Sequence, residues 1–219
     1  MADNRRKYGF RFYASMAGVG RTSGIEGMVT SGYQGNVGSP ATNVGVSIGD
    51  PVAMNAAGNF ELAEDTAATS DRFFGVVVGI INARVDSNGK ARPVSYLPGA
   101  VTWTNEVDRT RLIVLPFGRD LWEVDVDDNV TATTLAAYRA LKGLNCEFRY
   151  RVDTTDANRP RADPVLDIST AATGANDFRI MDVSKTQENQ DFSGANVKLI
   201  VQLGVGSEPM LGTTPVVGL

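Results

Sequence analysis

Residues 71–81, DRFFGVVVGII, form the longest nearly unbroken apolar run in the chain. Five of its residues are β-branched and two are aromatic, while Gly75 and Gly79 disfavour a long helix, so the run predicts a strand buried on both faces. Before it, Gly49-Asp50-Pro51-Val52-Ala53-Met54 and Phe60-Glu61-Leu62-Ala63 flank a turn at Asn55-Ala56-Ala57-Gly58-Asn59. After it, Asp86-Ser87-Asn88-Gly89 supplies residues that tolerate a left-handed backbone, and a hairpin into residues 91–96 is expected. Further strands are expected at residues 101–103, 112–115, 165–168, 178–183 and 197–203. Trp122, Val124 and Val126 alternate with Glu123 and Asp125, and Cys146, Phe148, Tyr150 and Val152 alternate with Glu147, Arg149 and Arg151, a period that predicts one dry and one wet face. In residues 197–203 the odd positions face one way and Lys198, Ile200 and Gln202 the other, and residues 153–164 read as a polar loop.

One helix is expected, with an apolar stripe from Ala132 through Leu135, Ala136, Ala137, Ala140 and Leu141 to Leu144. Asn129 or Thr131 serves as its cap and Gly143 as its stop. No internal repeat stands out. The expected fold class is mainly β: a β-barrel or β-sandwich body with one short α-helix and extended N- and C-terminal arms. Residues 18–49 hold nine glycines and few large apolar side chains, a composition that orders only against something else. The expected organisation is therefore a Gly-rich basic arm at 1–48, a first β lobe at 49–118, a second β lobe with the helix at 119–203 (continuous with the first, or separate), and a C-terminal tail at 204–219. Extended, residues 1–43 reach about 140 Å, from about 3.3 Å per residue. Removing residues 1–20 is expected to leave the body folded.

Charge sharpens this division. The net charge is −4 over 219 residues, but Arg5, Arg6, Lys7, Arg11 and Arg21 face only Asp3 in the first 21. A basic segment on an acidic body suits an acidic protein surface or anionic lipid, with nucleic acid the weaker alternative. Without a basic groove elsewhere it predicts no specific nucleic-acid binding. Arg11 breaks the apolar stretch after Arg5-Arg6-Lys7, which speaks against a signal peptide. No run approaches the 18 or more apolar residues of a spanning helix, so no membrane partner is expected.

Candidate chemistry is sparse. The chain has no histidine, which removes imidazole-based triads, histidine metal sites and the usual neutral-pH base. The single Cys146 cannot pair within one chain and reads as a small buried side chain. Two groups of carboxylates, Glu61, Glu64 and Asp65, then Asp125, Asp127 and Asp128, read as solvated turn residues ahead of an acid/base pair. Asp125-Val126-Asp127-Asp128-Asn129 begins like a calcium loop, but Val130 and Ala136 stand where such a loop needs glycine and glutamate. Gly18-Val19-Gly20 lacks the rest of a nucleotide-binding fingerprint. Trp103, Trp122, Tyr96 and Tyr150 read as core or interface residues, with a sugar platform as the alternative. No catalytic residue, cofactor or metal is expected, and no enzyme.

Gly49-Asp50-Pro51-Val52, the polar stretch 66–70, Phe73-Phe74-Gly75-Val76-Val77-Val78-Gly79 and Tyr96-Leu97-Pro98-Gly99 together resemble the head decoration (cement) proteins of tailed bacteriophages. Trp122-Glu123-Val124, Gly143-Leu144-Asn145, Phe178-Arg179-Ile180 and Ala195-Asn196-Val197-Lys198-Leu199-Ile200-Val201 are similar to the same group. The resemblance implies a β-rich structural virion protein, made in the host cytoplasm, that sits on the outer capsid surface, often as a homotrimer, and clamps the major capsid protein. The long Gly-rich N-terminal stretch and the C-terminal tail depart from that pattern. The expected contacts with the capsid and between copies are Arg5, Arg6, Lys7, Tyr8, Phe10, Arg11, Tyr13, Arg21 and Tyr33. The alternatives are another virion component, such as a tail adaptor or major capsid protein, and a carbohydrate-binding module.

Overall fold

The computed structural model describes residues 9–15, 24–29, 35–37, 42–55, 57–63, 73–85, 91–94, 96–97, 110–118, 120–127, 132–153, 161–173, 177–186, 189, 191–192 and 197–204. The apolar run forms β8 (Phe73–Val85). Phe73, Val76, Val77 and Ile80 are buried, but Val78 is 42% exposed. A bulge explains the exception: β8 pairs antiparallel with β11 (Arg111–Pro116), and the register steps from Val77 to Gly79, leaving Val78 unmatched and turned outward. β6 (Pro51–Met54) and β7 (Phe60–Leu62) make the expected hairpin. Its turn is held by the Asn55 Oδ1, which accepts from the Ala57 and Asn59 amides at 3.0 and 3.1 Å. β9 (Ala91–Val94) returns along β8 as expected. The turn at 86–89 and the strand expected at 101–103 lie outside the described residues.

These strands and β2 (Ile25–Met28) form one antiparallel sheet in the order β2-β11-β8-β6-β7, with β9 also on β8. A second antiparallel sheet joins β1 (Arg11–Ser15), β12 (Asp120–Asp125), β13 (Asn145–Asp153), β14 (Arg161–Ala172), β15 (Phe178–Val183) and β16 (Lys198–Leu203) in the order β1-β12-β16-β15-β13-β14. Two ribbons complete the body: β3 (Gly35–Val37) with β4 (Thr42–Val44), and β5 (Val46–Ser47) with β10 (Tyr96–Leu97). Each large sheet curls until its ends meet. Val29 bridges Phe60 in one, and Val126 bridges Leu166 in the other, both in parallel sense.

The two sheets are the same structure built twice. Numbered by chain order within each unit, β2, β6, β7, β8 and β11 lie in the order 1-5-4-2-3, and so do β12, β13, β14, β15 and β16. The register agrees residue by residue. Arg111, Leu112, Ile113 and Val114 face Met28, Gly27, Glu26 and Ile25, while Lys198, Leu199, Ile200 and Val201 face Asp125, Val124, Glu123 and Trp122. The bulge recurs, with Met181 passed over between Ile180 and Asp182 as Val78 is in β8. So does the entry turn. Gly49 (φ 99°) donates to the Val77 carbonyl and Gly143 (φ 88°) to that of Ile180, each at 2.8 Å. Both conformations favour glycine. The expectation of no repeat is corrected. The only clear trace in the sequence is Arg111-Leu112-Ile113-Val114 beside Lys198-Leu199-Ile200-Val201.

Other differences have local causes. β1 and β2 come from the stretch read as an arm, so those parts of 1–48 belong to the body. The glycines there serve close packing as well as turns. A Cβ on Gly24 would strike the Ile113 side chain at 2.5 Å, and one on Gly27 would strike the ring of Phe60. Phe10 is buried in the core, so removing residues 1–20 would breach it. The polar stretch 153–164 is partly strand, because its charges pair across the hairpin: Arg151 faces Asp163, with their ions 3.8 Å apart. The helix α1 (Leu135–Ala140) starts later than expected. Thr134 caps it by accepting from the Ala137 amide at 3.2 Å.

Aromatic rings join the two units. Phe73 lies 4.9 Å from Phe148 and 5.4 Å from Phe178, and Phe117 lies 5.3 Å from Phe178 and 5.1 Å from Trp122. Phe10 completes the group, 4.8 Å from Phe178. All six are buried. Phe178→Ala is expected to cost about 3–5 kcal/mol. Because the ring serves both units, urea unfolding of the variant should remain one transition at a lower midpoint. Loss confined to one of two separable transitions would show that the units are energetically independent.

Candidate functional site

The densest chemistry lies on β12 and the residues just after it. Glu123, Asp125 and Asp127 alternate with the core residues Trp122, Val124 and Val126, yet all three carboxylates are buried. The expected wet face is dry, which corrects the reading of Asp125 and Asp127 as solvated turn residues. Each has a cation from a different strand: Arg11 on β1 at 2.5 Å from Glu123, Lys198 on β16 at 2.8 Å from Asp125, and Arg149 on β13 at 2.5 Å from Asp127. The covering segment is itself tied down. Ser184 donates from its hydroxyl to Glu123, and Asn189 donates to the carbonyls of Ser184 and Lys198 while accepting from the Lys198 amide. Lys198 and Ile200 are buried too, so the second face of β16 is also dry.

Burial raises the Asp125 pKa above the usual carboxylate value; the hydrogen bond and charge of Lys198 and the charge of Arg151 offset part of this, and Glu123 adds to it. An isolated buried ion is far costlier than a paired one. Lys198→Met should therefore destabilise the protein by about 3–5 kcal/mol at neutral pH. The double variant Asp125→Asn, Lys198→Met should lose less than the sum of the singles. The sign with pH follows: a raised folded pKa favours the folded state at low pH, so the Lys198→Met penalty shrinks as pH falls and the stranded carboxyl takes up a proton. Urea titrations across pH measure both effects, and additivity of the two singles would contradict the pairing.

The other candidates are also structural. Cys146 is buried, and burial pushes its thiol far above its usual pKa, with nearby carboxylates adding to the shift. It should resist alkylation by iodoacetamide until urea unfolds the chain, and rapid labelling in native buffer would contradict this burial. Trp122 and Tyr150 are buried; the Tyr150 hydroxyl donates to the Pro51 carbonyl at 3.3 Å. Neither can stack on a sugar. The side chains of Trp103 and Tyr96 lie outside the described residues. Among the described residues no group of three His, Cys, Asp or Glu side chains could hold a metal, and no helix is long and apolar enough to cross a membrane. A recess of about 280 Å³ opens between α1 and the end of β15, lined by Leu135, Arg139, Asp182, Lys185 and Phe192 among others. Its charges are of both signs.

The residues expected to make contacts separate in the structure. Phe10 is core, and Arg11 is half-exposed but committed to Glu123. Tyr13 alone of the described set presents an exposed aromatic side chain. Arg5, Arg6, Lys7, Tyr8, Arg21 and Tyr33 lie outside the described residues. The sequence reading missed the exposed apolar side chains of the first unit: Ile25, Met28, Ile48, Met54 and Val78. Comparison with protein-family models, curated proteins and solved structures finds no match to this chain.

Proposed function

We propose that this chain is a structural virion protein, a decoration protein that binds the outer surface of a phage head and ties major capsid subunits together. The observation that carries the reading is how the charged groups of the second unit are used. Buried carboxylates on β12 and just after it tie in three further strands, which suits a protein whose work is mechanical. Exposed apolar residues of the first unit, with Tyr13 on β1, supply contact surface. The basic residues Arg5, Arg6 and Lys7 precede β1 and complement acidic patches on a partner. Attachment in this reading is the sum of modest contacts repeated around a closed shell, where effective concentration multiplies weak interfaces. A homotrimer is the assembly the resemblance favours.

The test is co-sedimentation of the purified chain with expanded, undecorated capsids, after light scattering has given its oligomeric state. Saturable, stoichiometric binding is expected. Deleting residues 1–8, which spares Phe10, should weaken binding and make what remains less sensitive to salt, while leaving the unfolding midpoint unchanged. A well-folded protein that stays in the supernatant at every ratio would overturn the proposal.

A further inference from the structure

The duplication gives the molecule two equivalent strand edges but covers them differently. In the second unit β1 lies along β12, with Arg11 opposite Glu123 and Phe12 opposite Trp122. Phe12 packs edge-on against Trp122 at 5.8 Å, and Trp122 is fully buried. The equivalents of Trp122 and Glu123 in the first unit are Ile25 and Glu26, because Val114 and Ile113 pair with them as Val201 and Ile200 pair with Trp122 and Glu123.

Ile25 therefore belongs to the inward-facing row that continues through Val114 and Val77, both fully buried. It is nevertheless 48% exposed. Glu26, whose counterpart is buried under Arg11, is 47% exposed and among the described residues pairs with the equally exposed Arg111, at 2.7 Å. An apolar residue on a core row and a carboxylate at a covered position are both uncovered at the same place. Among the described residues nothing does for β2 what β1 does for β12.

We propose that the edge of β2 at residues 24–26 is a strand-acceptor site. It takes an extended polypeptide segment of a partner protein, laid antiparallel as β1 lies on β12, with an aromatic side chain opposite Ile25 and a basic one opposite Glu26. Backbone pairing supplies the register, the ring covers Ile25, and the cation shares Glu26 with Arg111. A second copy docking β2 against β2 fits less well. It would bring two Glu26 carboxylates together across the pair and offer neither a ring nor a cation.

The probe is a capped heptapeptide with the sequence of residues 9–15, titrated into the isotope-labelled full chain while backbone amides are followed by NMR. Saturable shifts centred on residues 24–27 and their β11 partners are expected. Glu26→Lys should weaken binding about fivefold, the scale of an exposed charge pair, and a peptide with Glu in place of its Arg should recover it on that variant. The same spectra report whether the variant is folded. Shifts centred on residues 120–123, which mean exchange with β1, would overturn the proposal. Concentration-dependent self-association through β2, or no saturation at millimolar peptide, would do the same. No capsid enters the experiment, so its outcome is separate from that of the decoration role.

Discussion

The packing of Phe73 and Phe117 against Phe148 and Phe178 is the contact on which both units depend. A curled five-stranded sheet of this size has an apolar mouth that must be closed, and here each unit closes the other. The duplication is unequal at this point. Phe178 pairs with Cys146 as Gly75 pairs with Val52, so a ring in one unit stands where the other has no side chain. A Cβ on Gly75 would press into the Leu115 backbone, which leaves no room for a ring there. The first unit supplies its rings from Phe73 and Phe117 instead. Because the two sets of rings are not interchangeable, they interlock in one arrangement.

Around that core the units are braced to different degrees. Burying a charge costs several kcal/mol unless it is paired and hydrogen-bonded. β12 and its extension bury three charges and meet that condition with cations from β1, β16 and β13. At the equivalent places the first unit has the exposed pair Glu26 and Arg111, worth about 0–1 kcal/mol, and Met28 in place of Asp125. One unit is cross-linked by charges that hold only in one register. The other relies on apolar packing and on glycines that let β2 approach its neighbours.

The strands were legible where one face alone is buried or where an apolar run is unbroken, as in residues 73–81, 112–115 and 178–183. Reading failed where polar residues are buried by pairing, because Glu123, Asp125 and Lys198 look wet until their partners, up to 112 residues away in sequence, are known. It failed again where glycine means close contact, as at Gly24 and Gly27. The repeat was hidden by loop length. Equivalent residues are 87 apart at Arg111 and Lys198 but 106 apart at Phe60 and Leu166, so no fixed period survives. The burial of Cys146, by contrast, was legible, since a small apolar side chain with no histidine to activate it is buried more often than not, while Trp122 resolves to core from a choice between core, interface and sugar platform.

A duplicated barrel in which β1 extends the edge of one unit cannot treat its two halves alike. β1 precedes the first unit in sequence yet lies on the second, so the strand that comes just before β2 along the chain is spent elsewhere. The edge of β2, which no described strand pairs, is of the kind that folded proteins shorten, charge or cover, since a bare edge invites unwanted pairing. β2 is short and carries Glu26, which limits indiscriminate pairing, but Ile25 is retained on its inward row where a polar residue would cost less in water. Keeping an apolar residue at an open position that is closed in the sister unit is consistent with an edge that spends part of its life covered. A four-residue contact of that sort is weak for one molecule. Repeated over many copies on one surface, the same contact is strong while each copy remains free to dissociate and rebind.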